Sequence, residues 1–152
     1  MSDIIHNLRV TNERYTSLCK PEEGETVIWI DRRNPLLGNP FHMKEHSIRE
    51  RMIRIEQHRR LVHADFAKQG PIYQCMKDIA TRISDGERIC LHCQCSPLPC
   101  HGDNYVEIVR KILSDTLAEE KCAEFMLSVD APARFAHMKR LLSSKHPQDC
   151  GR

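Results

Sequence analysis

A chain of 152 residues, 40% hydrophobic and 29% charged, holds enough apolar material for one folded domain and too little length for two comfortable ones, which excludes disordered and fibrous classes. The formal net charge of +2 is too small to mark a nucleic-acid binder, so only a local basic cluster would do so. No run approaches the ~20 apolar residues of a membrane span, and Met1-Ser2-Asp3 opens no signal peptide, so we expect a cytoplasmic protein with no membrane partner, its eight cysteines kept reduced.

Two β-branched, apolar runs, Ile4 to Val10 and Thr26 to Ile30, predict strands, with the turn-rich Lys20-Pro21-Glu22-Glu23-Gly24 before the second. The second runs into Asp31-Arg32-Arg33-Asn34-Pro35-Leu36-Leu37-Gly38-Asn39-Pro40-Phe41, where two prolines and a glycine bar regular structure and force a loop. From Ser47 to about Ala67, Ile48, Met52, Ile55, Val62 and Phe66 follow helical spacing, and Arg59 occupies the missing place in that stripe. Its neighbours Arg49, Arg51, Arg54 and Arg60 make this helix locally basic. A second helix is predicted over Pro71 to Ile83, with proline in its first turn and Ile72, Cys75 or Met76, Ile79 and Ile83 in step.

Glu87 to Cys93 predicts a third strand, and at its end stands Cys93-Gln94-Cys95-Ser96-Pro97-Leu98-Pro99-Cys100-His101-Gly102-Asp103. Tyr105, Ile108, Val109, Ile112 and Leu113 then recur at helical spacing, so the cluster occupies a strand-to-helix turn, capped by Asp103 or by an Asn104/Glu107 capping box. Beyond it, 114–145 predicts a C-terminal helical extension of two helices broken near Asp130-Ala131-Pro132, and 146–152 a frayed tail. Strands separated by helices predict a single α/β domain, a small, mostly parallel, Rossmann-like sheet flanked by helices. Ligands in such sheets bind beyond the carboxyl ends of strands, where both irregular loops lie.

The cluster supports two chemistries. Cys93, Cys95, Cys100 and His101 are donors that zinc prefers, although zinc ligands are usually spaced further apart than these pairs. Alternatively, Cys100 sits at a helix N-terminus beside an imidazole, a setting that favours thiolate, with His101 as acid or base and Asp103 to orient it or a substrate. The same N-terminus suits a phosphate, with Gly102 allowing close approach and Arg33, Asn34, Gly38, Asn39 and Arg59 as further candidate ligand contacts. Arg59 reads equally as a side chain that pairs with a carboxylate. Cys19, Cys75, Cys122 and Cys150 read as plain packing thiols.

Leu37-Gly38-Asn39-Pro40-Phe41 after Arg32-Arg33, followed by Cys93-x-Cys95-x-Pro97-x-x-Cys100-His101-Gly102-Asp103, resembles the paired motifs of the domain of unknown function family 4326, over about Val27 to Leu113. Gln94 stands where that family usually has an aromatic, and Asp31 where it often has glycine. The resemblance implies a compact α/β core at 27–113, with Gly38, Asn39, Cys93, Cys95, Cys100, His101 and Asp103 as its characteristic positions. It also implies a bacterial or phage setting. The expectation is a phosphate-bearing small molecule or nucleotide bound at the Cys/His turn, with catalysis there; the alternative is a zinc-stabilised module for nucleic acid or a host protein.

Overall fold

The computed structural model describes residues 6–12, 20–94 and 98–128, with side chains through Glu124. The first residues of the predicted N-terminal strand, Cys19, Cys95, the break at Asp130-Ala131-Pro132, Cys150 and the tail lie outside the described residues.

Three strands, β1 (Leu8–Asn12), β2 (Glu25–Trp29) and β3 (Arg88–Cys93), form a parallel sheet in the order β1-β3-β2. β3 lies in the middle, with Val10 opposite Leu91 on one side and Ile28 opposite Leu91 on the other. A central parallel strand is covered on both faces, and Ile89 to Cys93 is accordingly an unbroken buried run. All three strands point the same way, so Asn12, Trp29 and Cys93 share the carboxyl edge. Three strands make a small α/β sheet, to which the description Rossmann-like applies only loosely.

Helix α1 spans Ile48–Lys68 and starts where Ser47 Oγ accepts the Glu50 N–H at 3.1 Å. Its buried side chains are His58 and Val62, whereas Ile48 and Met52 are exposed. The buried stripe therefore passes through Ile55, His58 and Val62. The place assigned to Arg59 belongs to its neighbour, because a 3.6-residue period brings 58 rather than 59 over 62. Helix α2 (Pro71–Ser84) has proline in its first turn and buries Ile72, Met76, Ile79, Ala80 and Ile83, resolving the Cys75/Met76 choice in favour of Met76.

Helix α3 spans Gly102–Ser128 without a break, so the helix after the cluster continues through 114–128 where the sequence predicts a separate helix. The capping box does not form. Asp103 Oδ2 accepts the Cys100 N–H at 3.2 Å, while Asn104 and Glu107 bond to α1. The chain divides into two compact units, Met1–Leu113 and Ser114–Arg152. The first holds the core, in which Ile30, Leu37, Val62, Met76, Ile79, Ile83, Ile89, Leu91, Tyr105, Ile108 and Val109 are almost fully buried.

Gly102 brings α3 onto the sheet. A Cβ there would stand 2.7 Å from Ile30 Cδ1 and 3.0 Å from Val10 Cγ2. Because the nearest atom is the tip of a flexible side chain, we expect Gly102→Ala to destabilise by about 1 kcal/mol, the low end for overpacking. Ile30→Val removes that tip. In a double-mutant cycle by urea denaturation, the pair should be less destabilised than the sum of the singles. Strict additivity would refute the proposed clash.

Candidate functional site

β3 ends at Cys93, and α3 begins two residues after Cys100, so the fold brings two thiols and an imidazole to the carboxyl edge of the sheet. Cys93 Sγ and Cys100 Sγ are 2.8 Å apart, and both residues are buried. Cys100 Sγ also stands 3.7 Å from His101 Nδ1 and accepts the Gly102 N–H at 3.3 Å. His101 Nε2 lies 2.7 Å from the Ile30 carbonyl, which only accepts, so this nitrogen carries the proton. Nδ1 is left as an acceptor aimed at the thiol. The His101 tautomer is thus held by a backbone carbonyl, with the Cys100 sulfur beside the ring's lone pair and an amide donor at the helix start.

Behind this pair lies a buried polar chain. Tyr105 donates its hydroxyl to the Leu37 carbonyl at 2.8 Å, so its oxygen accepts from His58 Nε2–H at 3.0 Å. His58 Nδ1 then accepts from the Asn104 amide at 3.0 Å, which also donates to the Ile55 carbonyl. Burial, and next the proximity of His101, lowers the His58 pKa to about 3, so the ring is neutral. Burial likewise pushes the Tyr105 phenol up. The His58 and His101 rings meet edge-on, their centroids 5.0 Å apart.

This chain joins the two sequence motifs, because Leu37 belongs to the loop after β2 and Tyr105 to the first turns of α3. The motifs meet in the core. An open cleft of about 460 Å3 runs along the other side of the helix start, lined by Leu8, Arg9, Val10, Leu98, Pro99, Cys100, Asp103, Val106 and Arg110. None of Arg33, Asn34, Gly38, Asn39 or Arg59 lines it. Asn34 shapes its own loop, donating to the Trp29 carbonyl and accepting the Leu36 and Leu37 N–H groups, and Asn39 accepts the Phe41 N–H. Arg33 lies 4.0 Å above the Trp29 ring and grips Asp31, holding that carboxyl below its ordinary range. Arg59 makes a forked pair with Glu107 on the surface. Arg54 and Arg60 pair with Glu50 and Glu56, which reduces the bare positive charge of α1.

Arg110, Val106 and the wall from β1 were missed by the sequence reading, as was His58. Asp103, Val106 and Arg110 follow helical spacing after Cys100 and were legible as one face. The β1 wall was not legible, because strand order is a long-range property.

Two thiolates on one tetrahedral zinc, each at ~2.3 Å, stand about 3.8 Å apart. The Cys93 and Cys100 sulfurs, at 2.8 Å, are closer than that. Among the described residues no group of three or more His, Cys, Asp or Glu side chains is placed to hold a metal, and Cys95 lies outside them. Nor, among the described residues, is any helix long and apolar enough to cross a membrane.

The fold and site define a small parallel α/β protein with a thiol–imidazole pair at the strand ends. Residues 12–111 match the family model described as Domain of unknown function (DUF4326), and the chain belongs to that family. The match starts before Val27 and takes in the end of β1, the strand that walls the cleft. No curated protein and no solved structure matches the chain.

Proposed function

We propose that the cleft beside the start of α3 binds a phosphate-bearing small molecule, by class a nucleotide, with Cys100 as nucleophile and His101 as its base. The observation that carries this reading is Cys100 in the cleft wall with its sulfur 3.7 Å from a His101 nitrogen, the partner nitrogen of that ring being committed to the Ile30 carbonyl. Arg110 makes no ion pair among the described residues, and its guanidinium suits a phosphate. Arg9, the other cleft guanidinium, is held by Glu25. Asp103 supplies an acceptor for a sugar hydroxyl. A ligand carrying both hydroxyls and phosphate satisfies both groups, and the thiol stands beside them with His101 placed to take its proton. The setting we propose is the cytoplasm, that of the host cell where a phage carries the gene.

Thermal shift across nucleoside mono-, di- and triphosphates and inorganic phosphate tests this. A true ligand at ~100 times its Kd should stabilise the fold by about 2.7 kcal/mol. Arg110→Ala should weaken binding by about 10- to 100-fold, the value of a hydrogen bond to a charged group. Cys100→Ser should keep the shift, and peptide mapping of the unaltered chain should find Cys100 alkylated by iodoacetamide ahead of Cys75 and Cys122. If no phosphate compound stabilises the protein, the reading fails. Stoichiometric zinc with chelator-induced unfolding would reassign the cluster to a metal-stabilised binding module.

A further inference from the structure

Cys93 has no part in that chemistry, yet its sulfur stands 2.8 Å from the sulfur of Cys100. We propose that Cys93 and Cys100 are a redox pair that closes to an intramolecular disulfide under peroxide and reopens with small thiols. A disulfide bond is ~2.05 Å long, so the sulfurs need to close by only about 0.8 Å. The two residues lie at the end of β3 and just before α3, both within the first compact unit, and their sulfurs already stand next to one another. Cys93 is 1% exposed and Cys100 2%, but Cys100 belongs to the wall of the open cleft and Cys93 does not, so Cys100 is the residue nearer to an oxidant entering there and Cys93 is positioned to resolve it.

The steps balance. Cys100 passes its proton to His101 Nδ1 and its sulfur attacks one oxygen of hydrogen peroxide. The O–O bond breaks, and the departing hydroxide takes the proton from His101 to leave as water. Cys100, oxidised by two electrons, is now a sulfenic acid. Cys93 sulfur attacks it, the S–O bond breaks, and the leaving hydroxide takes the Cys93 proton. Two thiols and one peroxide give one disulfide and two waters. Two equivalents of a reducing thiol, such as glutathione, reverse the change by exchange through a mixed disulfide. Oxidation occupies the sulfur that the proposed function uses. That consequence rests on the functional reading, whereas the disulfide itself does not.

The test uses the full chain, reduced and treated with chelator, then exposed to hydrogen peroxide, blocked with N-ethylmaleimide and mapped as peptides. A Cys93–Cys100 cross-link that dithiothreitol removes is expected, and Cys95→Ser should retain it. Cys93→Ser and Cys93→Ala should lose it and carry Cys100 on to sulfinic and sulfonic acid. Cross-links through Cys90 or Cys95 in place of Cys93 would overturn the pair, as would overoxidation of Cys100 in the unaltered chain as fast as in the Cys93 variants. Any phosphate compound that stabilises the reduced protein should lose that effect after oxidation. If none stabilises the reduced protein while the cross-link forms, the binding reading fails and the redox pair stands.

Discussion

Lowering the pH from 6.5 to 4.5 should remove about 2 kcal/mol of folding stability through His58 alone, at a slope that approaches about 1.4 kcal/mol per pH unit. His58 is 0% exposed, and both of its ring nitrogens are engaged, Nε2 as donor to Tyr105 and Nδ1 as acceptor from Asn104. A proton on Nδ1 would face the Asn104 amide donor and bring a charge into the core beside His101. The folded-state pKa is accordingly lowered from 6.5 to about 3, first by burial and then by His101. Below pH 6.5 the unfolded chain binds a proton that the folded chain refuses, so stability is full above 6.5 and falls as pH drops. The loss levels off below about 3, after three and a half pH units, at about 5 kcal/mol. The carboxyls of Glu25 and Asp31, held low by Arg9 and Arg33, add to the same trend only at the acid end. Urea titrations between pH 7 and 4.5 on this protein and on His58→Gln check the claim. Histidines common to both contribute equally, so the difference in slope isolates His58. Equal slopes would exclude it as the source.

Gly38→Ala should destabilise by about 3 kcal/mol, the upper end for overpacking, because the obstructing atoms are main chain. A Cβ at Gly38 would lie 2.7 Å from the Asn34 and Asp31 carbonyl oxygens and 2.9 Å from Arg32 Cα. Those oxygens are not movable tips. The Gly38 N–H donates to the Asn34 carbonyl at 2.9 Å, the Asn34 N–H donates to the Asp31 carbonyl at 2.9 Å, and Asn34 Oδ1 receives two further amides. Widening this turn also displaces Leu37, which is 2% exposed and whose carbonyl receives the Tyr105 hydroxyl. The control is Gly24→Ala, at φ 82° with nothing within 4 Å, where only a left-handed backbone is strained, at about 1 kcal/mol. Chemical denaturation should rank Gly38→Ala well below Gly24→Ala with unchanged m-values. The reverse order would remove the crowding argument.

The contrast between Arg59 and His58 shows where sequence reasoning stops. Periodicity placed α1 correctly, from about Ser47 to about Ala67, but a charged residue in an apolar stripe drew attention away from its buried neighbour. Only packing against α3 makes position 58 the buried one, and only the Tyr105 and Leu37 partners set its tautomer. Arg33, Asn34 and Asn39 stood out for the same reason, as polar residues in an irregular loop. The loop uses Asn34 and Asn39 to satisfy its own backbone and Arg33 to hold the Asp31 carboxylate, roles that single residue types do not distinguish from ligand contact.

Local signals by themselves determined the elements: β-branched runs for the strands, apolar spacing for the helices, prolines and glycine for the loop after β2, and the thiols and imidazole at a strand-to-helix turn. Those signals are short-range, since backbone preference and side-chain period act within a few residues. The tertiary structure decided what depends on residues far apart in the chain. It put β3 between β1 and β2, linked Leu37 to Tyr105 and His58, faced Cys93 with Cys100, and set the cleft against β1 with Arg110 instead of against the Gly38-Asn39 loop. Strand order and core contacts arise from burial shared across the whole domain, and no window of sequence carries that information.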